Sequence, residues 1–271
     1  MRSLFGLEGK RIVVLGGGQG MGEATVRLIS SLGAEVAVVD LEMERAERVV
    51  ADVTAAGARA LPFSVDVLDD EALAAAIGKI DKALGPLDGM ATVIGMAGWA
   101  PLIDMTPEVW DHDHRRNLRY FFLAAREVAR RLLERRAPGS IVGVASVDGI
   151  RSAANHASYG AAKAGLINLV KTMAVEWSGS GIRVNLVAPG GIVTPRIPHM
   201  GDEAEARMAG LVPMKRRGTV QDIAKAITIF LSDLTPYVTG QTLAVDGGFE
   251  AANIFSNTSG ANVPLGGTMG L

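Results

Sequence analysis

Residues 11–29 read RIVVLGGGQGMGEATVRLI: a short β-branched run, then a glycine cluster, then an amphipathic stretch. This order predicts a strand, a tight turn and a helix. Glycines in such a turn let the backbone approach a pyrophosphate, whose charge then lies at the helix N-terminus. A glycine cluster alone also marks ordinary tight turns, so the remainder of the chain must distinguish the two interpretations.

Short apolar runs and alanine-rich helical stretches alternate along the rest of the chain. The runs are EVAVVD (35–40), LPFSVDV (61–67), MATVIGMAG (90–98), SIVGVAS (140–146), RVNLVAPG (183–190) and QTLAVDGG (241–248). Helices are predicted at about 20–32, 42–56, 69–84, 107–136, 155–178 and 220–232. The alternation predicts an α/β fold: a doubly wound (Rossmann) parallel sheet of about seven strands with helices on both faces.

The predicted domain organisation is simple. Residues 1–249 form one domain, in which segment 195–217, with its Pro, Gly and Met residues, is expected to be a mobile lid over the substrate. Residues 250–271 are rich in Gly and Asn, and they are either a mobile tail or a strap over a neighbouring subunit or the pocket.

Composition excludes several classes of protein. The chain has 271 residues, 48% of them hydrophobic, and a net charge of −2, which gives no field to attract nucleic acid or anionic lipid. With no cysteine, disulfides, thiolate nucleophiles and cysteine-ligated metals are excluded. No apolar leader or long apolar run is present. We therefore expect a cytoplasmic protein that binds neither membranes nor nucleic acid.

The run Asp111-His112-Asp113-His114 invites a metal interpretation. On a helix, however, alternate positions do not face each other, and no third ligand cluster accompanies the run. We predict a solvated helix start and no metal site.

Asp40 ends the second apolar run, eighteen residues after Gly22. A carboxylate there can accept both adenosine ribose hydroxyls while it repels a 2′-phosphate, which favours NAD over NADP. No Arg or Lys stands in residues 12–26 or directly after Asp40, although Asp40 capping the next helix is an alternative. Asp66, after the third run, is placed to accept from the adenine amino group or to cap the helix that begins near Asp69.

Tyr159 and Lys163 lie four residues apart in SYGAAKAG, so they share one helix face. A phenolate useful at neutral pH needs a pKa shift of about 3 units, or ~4 kcal/mol, and a neighbouring cation is the plainest source of it. The alternative is a chance spacing on a solvated helix.

The full set of motifs resembles the short-chain dehydrogenase/reductase family in its single-domain form, over residues 7–249. The motifs are the glycine loop 16–22, Asp40, Asp66, AG at 97–98, Asn117, Ser146, YGAAK at 159–163, PGGIVT at 189–194 and VDGG at 245–248.

The resemblance implies an NAD-dependent oxidoreductase that acts on a secondary alcohol or ketone, as a homotetramer. Tyr159 would be the general acid/base, and Lys163 would hold the nicotinamide ribose and lower the tyrosine pKa. Ser146 would orient the substrate oxygen, and Asn117 would anchor a water in the proton relay. The cofactor contacts implied are Gly16, Gly18, Gln19, Gly20, Met21, Gly22, Asp40, Leu41, Asp66, Val67, Gly98, Tyr159, Lys163, Pro189, Gly190, Ile192 and Thr194.

Substrate contacts are expected at the carboxyl ends of the strands, from Trp99, Asp148, His156 and Gly191. Each has an alternative: Trp99 as a gap filler, Asp148 as a turn residue, His156 as a surface cap. Two other functions stay open, an NADPH-dependent 3-ketoacyl-carrier-protein reductase and a noncatalytic NAD-binding regulator.

Two positions depart from the family pattern. Leu15 stands where the family usually has Thr, and Gly95-Met96-Ala97-Gly98 stands for Asn-Asn-Ala-Gly. In the family, that threonine and the first asparagine help to tie two strand ends together. Loss of both partners can be nearly neutral, so we expect apolar packing to replace the polar link and cofactor binding to survive.

Overall fold

The computed structural model describes residues 2–252. All strands of its sheet pair in parallel, in the order β3-β2-β1-β4-β5-β6-β7. The strands are β1 (Arg11–Leu15), β2 (Glu35–Asp40), β3 (Ala60–Ser64), β4 (Gly89–Thr92), β5 (Gly139–Val144), β6 (Ile182–Pro189) and β7 (Thr242–Val245). The predicted doubly wound sheet is confirmed.

Helices cover both faces of the sheet. They are α1 (Arg2–Phe5), α2 (Gly20–Ser31), α3 (Met43–Ala55), α4 (Asp70–Leu84), α5 (Pro107–His114), α6 (Tyr120–Arg135), α7 (Ala157–Trp177), α8 (Asp202–Leu211) and α9 (Val220–Leu231). Side chains of α2, α3 and α9 pack in one apolar cluster, and those of α4, α6 and α7 in another. Alternate β1 residues enter opposite clusters, which explains why its run is apolar throughout.

The order of strands reverses between β1 and β4. In open α/β sheets, ligands bind in the crevice at the carboxyl ends of the strands beside such a reversal. The β1–α2 loop and the segment after β4 flank this crevice, so the topology alone places the glycine loop opposite residues 93–101.

Three local features differ from the sequence prediction. The predicted helix 107–136 is interrupted by a π-helical turn, Arg115–Arg119, between α5 and α6. The strand predicted from MATVIGMAG ends at Thr92. Segment 195–217, in which no helix was predicted, contains α8. The predicted tail 250–271 lies, from residue 253, outside the described residues. Within the described part of the chain, no helix has the length and apolarity needed to cross a membrane.

Candidate active site

The glycine loop joins β1 to α2 through contacts that exclude larger residues. The Gly16 and Gly17 N–H groups donate to the Val39 carbonyl at 2.8 and 2.9 Å, which fixes the loop to the end of β2. A Cβ at Gly22 would stand 1.9 Å from the Gly16 carbonyl oxygen, and Gly20 has φ +59°. The resulting cradle at the start of α2, with Gln19 as its N-cap and Met21 in its first turn, fits a dinucleotide pyrophosphate.

Asp40 is bound to this loop. Its Oδ2 accepts the Gly18 N–H at 3.1 Å, and its Oδ1 accepts the Glu42 N–H at 3.3 Å. Capping of α3 by Asp40 is not what the structure shows, because the N-cap of α3 is Glu42. The Asp40 carboxylate therefore lies at the end of β2, beside the glycine loop.

Two arginines that sequence inspection missed lie at the same place. Arg45 stands 3.8 Å from Asp40 Oδ1, and Arg48 donates to the Gly18 carbonyl at 2.9 Å. Both lie in the first turns of α3, beyond the residues directly after Asp40 in which a cation was sought. The absence of Arg and Lys from residues 12–26 and directly after Asp40 therefore does not keep cations away from this site.

Asp66 is exposed after β3, and its Oδ1 accepts the Leu68 N–H at 2.9 Å. The cap of α4 is Asp69, which accepts from Glu71 and Ala72, so Asp66 is not the helix cap. Val67 is buried and Leu41 is exposed at the same edge of the sheet.

Tyr159 and Lys163 lie on one face of α7, with Lys163 Nζ 5.6 Å from the phenol ring centroid. Lys163 is 1% exposed, and its Nζ donates to the Val144 carbonyl at 2.8 Å. Burial lowers the pKa of Lys163 to about 7. The chance-spacing interpretation, which needs a solvated face, is wrong.

The phenol of Tyr159 is held in its protonated form by the protein's own groups. Burial raises the pKa of Tyr159 to about 12; a hydrogen bond with Ser146 opposes this rise, and the charges of Asp148 and Asp113 add to it. Lys163 was expected to lower this pKa, but the pKa of Tyr159 is raised, with burial as the largest cause. Ser146 lies two residues after the end of β5. Its hydroxyl also accepts the Asp148 N–H at 3.1 Å.

Asn117 lies in the π-helical turn and is fully buried. Its Oδ1 accepts the Met96 N–H at 3.2 Å, and its Nδ2 donates to the carbonyls of Met96 and Asp113 at 2.9 Å each. A Cβ at Gly95 would stand 2.9 Å from Asn117 Oδ1 and 3.1 Å from Lys163 Nζ. The side chains of Asn117 and Lys163 therefore both lie against Gly95.

Asp113 was predicted to lie on a solvated helix start, and this was wrong. It is 2% exposed; its carboxylate accepts the Gly98 N–H at 2.9 and 3.2 Å and the Ser158 hydroxyl at 2.5 Å. The burial follows from the packing of α5 against α7, which a sequence pattern does not specify. Gly98, predicted as a cofactor contact, has its N–H committed to this carboxylate. Residues 2–252 contain no group of three His, Cys, Asp or Glu side chains able to hold a metal.

The segment after β6 closes the other side of the crevice. Pro189 ends β6, and the Gly190 N–H donates to the Val245 carbonyl at 3.2 Å. Ile192 is buried, and Thr194 Oγ1 accepts the Ile197 N–H at 3.1 Å. A Cβ at Gly20 would stand 3.5 Å from Cδ of Pro195, so this segment meets the glycine loop.

Arg217 holds segment 195–217 to the residues that follow β6. It is 5% exposed, and it donates to the carbonyls of Ile192 and Ile197 at 2.8 and 3.1 Å and to Glu205 of α8 at 2.7 Å. Sequence inspection did not single out this arginine.

The four predicted substrate residues divide into two groups. Trp99, His156 and Asp148 adjoin Tyr159: the His156 ring centroid lies 3.8 Å from that of Trp99 and 5.7 Å from that of Tyr159, and Asp148 Oδ2 lies 2.6 Å from His156 Nδ1. Gly191 is exposed under the lid, where an added Cβ would stand 3.8 Å from Met208 Cε. His156 is the N-cap residue of α7, but its side chain makes no capping hydrogen bond.

The fold, the glycine cradle and the pair of Tyr159 with the buried Lys163 define a class: a Rossmann-fold oxidoreductase that uses a dinucleotide. Comparison with known proteins agrees. A model of the family described as enoyl-(acyl carrier protein) reductase matches residues 16–250. The 2-(S)-hydroxypropyl-CoM dehydrogenase 3 of Xanthobacter autotrophicus is 36% identical over 251 residues, 90% of this chain and 98% of that protein.

Two further proteins are similar over the same range. The 3-oxoacyl-(acyl-carrier-protein) reductase FabG of Thermotoga maritima is 34% identical over 242 residues, 89% of this chain and 98% of that protein. A solved short-chain dehydrogenase/reductase from Serratia marcescens superposes with a TM-score of 0.84 at 30% identity, over 90% of this chain and 99% of that one. The chain belongs to the short-chain dehydrogenase/reductase family, an oxidoreductase family that uses a nicotinamide cofactor and acts on alcohols.

Proposed function

We propose that the protein is an NAD-dependent oxidoreductase that interconverts a secondary alcohol and its ketone, with Tyr159 as general acid/base. The observation that carries this proposal is the meeting of Tyr159, Ser146 and Lys163 at the carboxyl ends of the central strands, behind a glycine cradle. A dinucleotide held by the cradle, Asp40 and segment 189–194 would supply the acceptor for the hydride of the carbinol carbon.

The protein's part of the chemistry is proton transfer and orientation. The Ser146 hydroxyl and the Tyr159 phenol both reach the carbinol oxygen, and the phenol exchanges the proton of that hydroxyl. As the ketone forms, the carbinol C–H bond breaks, with the bound dinucleotide as the group that would accept the hydride; the hydroxyl proton passes to the Tyr159 phenolate, and the C=O bond forms. Reduction follows the same path in reverse.

The proton on Tyr159 must be able to leave. With a pKa raised to about 12 by burial, by Asp148 and by Asp113, the phenol needs positive charge nearby to act as a base at neutral pH. Lys163 can supply part of it, since its pKa near 7 leaves a substantial charged fraction there. Its Val144 hydrogen bond keeps this charge beside the ring.

The preference for NAD rests on Asp40, whose carboxylate would face the ribose hydroxyls. Arg45 and Arg48 are the cations that could favour a 2′-phosphate, but each is already paired: Arg45 with Glu42 at 2.9 Å and Arg48 with Glu23 at 2.7 Å. We therefore expect kcat/KM with NAD to exceed that with NADP by at least tenfold. A preference for NADP would overturn the assignment of Asp40.

The decisive variant is Tyr159→Phe, assayed for NADH formation with a panel of cyclic, aromatic and aliphatic secondary alcohols. Turnover is expected to be lost, while calorimetry shows NAD binding within a few-fold of wild type. The control is Tyr237→Phe, which changes a fully exposed tyrosine and should leave turnover intact. Retained turnover in Tyr159→Phe would rule out the role of Tyr159.

A second candidate is an NADPH-dependent 3-ketoacyl-carrier-protein reductase, supported by the similarity to the Thermotoga maritima enzyme and by the two arginines beside Asp40. Reduction of an acetoacetyl thioester with NADPH, faster than any alcohol oxidation with NAD, would favour it. Assembly as a homotetramer and a cytoplasmic location stay predictions.

A further inference from the structure

His156 has one committed nitrogen and one open one. Its Nδ1 lies 2.6 Å from Asp148 Oδ2, and since a carboxylate only accepts, Nδ1 carries the proton of this hydrogen bond. Its Nε2 is buried and has no hydrogen-bond partner within the described residues. A buried polar nitrogen without a hydrogen-bond partner is costly, so Nε2 is a candidate for binding a ligand group.

The imidazole of His156 lies between the rings of Trp99 and Tyr159. The Trp99 ring meets the imidazole at 69°, and Trp99 itself is 71% exposed, so this cover can move without opening the core. On the other side, the imidazole meets the Tyr159 ring at 65°.

The backbone is also arranged to hold the histidine. Asn155, directly before it, has φ +65°, and its carbonyl accepts the Ala100 N–H at 3.2 Å, next to Trp99. Left-handed backbone at a non-glycine residue is tolerated when the surrounding contacts stabilise it. The imidazole thus has its position fixed from the Trp99 side and from Asp148.

We infer that His156 Nε2 binds a second hydroxyl of the substrate, so that the enzyme prefers diols whose second hydroxyl lies within a few carbon atoms of the carbinol. This inference rests on the proposed function, because the carbinol oxygen is taken to lie on Tyr159 and Ser146. A hydroxyl suits Nε2 in either state of the ring: it donates to the neutral imidazole and accepts from the imidazolium.

Other second groups fit less well. A carboxylate would bind only the imidazolium and would stand near the carboxylates of Asp148 and Asp113, both of which act on Tyr159. A carbonyl also needs the imidazolium. Asp148 is bonded to the imidazole itself, and the charges of Asp148 and Asp113 both act on the neighbouring Tyr159, so this part of the site disfavours a second anion. We therefore assign a neutral hydroxyl.

The test compares cyclohexanol, cis-1,2-cyclohexanediol and 2-hydroxycyclohexanecarboxylate as substrates with NAD. Wild type should favour the diol over the mono-alcohol about tenfold in kcat/KM, because a site built to bind a hydroxyl rejects the analogue that lacks it. His156→Phe should bring this ratio close to one. His156→Gln, which keeps a polar group near Nε2, should restore part of the preference.

The matched control is His114→Phe. His114 also stacks on a tryptophan, Trp110, at 4.6 Å, but its Nδ1 bonds to the Trp110 carbonyl on the same helix. His114→Phe removes a histidine that stacks on a tryptophan outside the proposed substrate site. It should therefore keep the wild-type ratio of kcat/KM for the diol to kcat/KM for the mono-alcohol. An equal ratio in wild type and His156→Phe, or a preference for the hydroxy acid, would overturn the inference.

Binding separates this inference from the proposed function. Titration of Tyr159→Phe with the same three compounds, followed by tryptophan fluorescence, should show a Kd for the diol about tenfold below that for cyclohexanol. If turnover is absent in wild type but this difference is present and is lost in His156→Phe, the proposed function fails and the site assignment stands. If alcohols are oxidised but neither Kd nor kcat/KM favours the diol, the site assignment alone fails.

Discussion

Gly95→Ala is expected to lower kcat by about 10- to 100-fold while the protein still folds. The new Cβ would stand 2.9 Å from Asn117 Oδ1 and 3.1 Å from Lys163 Nζ, whereas ordinary contacts of a Cβ begin at 3.4 Å. At least one of these atoms must therefore move by about 0.5 Å, the difference between 3.4 and 2.9 Å.

Neither atom is free to move. Asn117 makes hydrogen bonds with Met96 and with the Asp113 carbonyl, and Lys163 is bonded to Val144. A shift therefore strains these hydrogen bonds or displaces the Lys163 ammonium from its place beside Tyr159. Displacements approaching 1 Å at a reacting centre can cost about 100-fold in rate, and overpacking costs about 1–3 kcal/mol of stability.

The assay measures kcat, KM for NAD and KM for the alcohol, together with thermal unfolding. We expect a fall in kcat with a drop in Tm of several degrees. Gly179→Ala is the control, since Gly179 lies in an exposed turn and an added Cβ would meet nothing within 4 Å. A folded Gly95→Ala enzyme with wild-type kcat would refute the view that Asn117 and Lys163 act from these positions.

Three further outcomes are expected. Gly22→Ala should abolish dinucleotide binding in calorimetry, because its Cβ would stand 1.9 Å from the Gly16 carbonyl oxygen; binding near the wild-type Kd would contradict the cradle. Asp113→Asn should move the acidic limb of the kcat–pH profile for alcohol oxidation to lower pH, because this carboxylate raises the pKa of Tyr159; an unmoved limb would count against it. Burial lowers the pKa of Lys163 from 10.5 to about 7, so the unfolded chain binds more protons than the folded one in this window. Urea unfolding should therefore show the wild type gaining stability relative to Lys163→Met as pH rises from about 7 to 10.5, and a constant difference would argue against a buried amine.

The architecture could be predicted from the sequence because it depends on periodic signals. A strand buried on both faces, such as β1, is apolar throughout, and a glycine turn before a helix marks the crevice. The positions of Tyr159, Lys163 and Ser146 followed from the order of motifs along such a sheet.

What the sequence did not reveal depends on packing between elements distant along the chain. The run containing Asp113 was predicted to be a solvated helix start, yet α5 packs against α7 and buries Asp113. Arg45 approaches Asp40, and Arg48 the Gly18 carbonyl, only because α3 starts close to the glycine loop. The interaction of Asp148 with His156 joins a turn after β5 to the residue before α7, eight positions later. The periodicity of apolar residues along the sequence does not indicate contacts of this kind.

Leu15 and Gly95, the two positions that depart from the family pattern, were expected to replace a polar link by apolar packing. The structure shows apolar packing together with a different polar link. Leu15 is fully buried, as expected of an apolar replacement. A polar link exists nevertheless, since the Tyr120 hydroxyl lies 3.0 Å from Thr92 Oγ1 and donates to the Ile94 carbonyl at 3.0 Å. Burial raises the pKa of Tyr120, so this hydroxyl keeps the proton that it donates. The end of β4 is thus tied to α6 and not to β1 by this link.

This exchange changes which element positions the catalytic groups. Tyr120, Asn117 and Asp113 hold segment 94–98 at alternate residues, and all three come from the stretch where α5 passes through the π-helical turn into α6. A π-helical turn adds one residue to the helix and rotates the side chains that follow it. Because that turn carries Asn117, its geometry sets how segment 94–98 meets Lys163. We conclude that the helix, rather than the paired strand ends, determines the shape of this wall of the active site, and that Gly95 is the residue that this geometry requires.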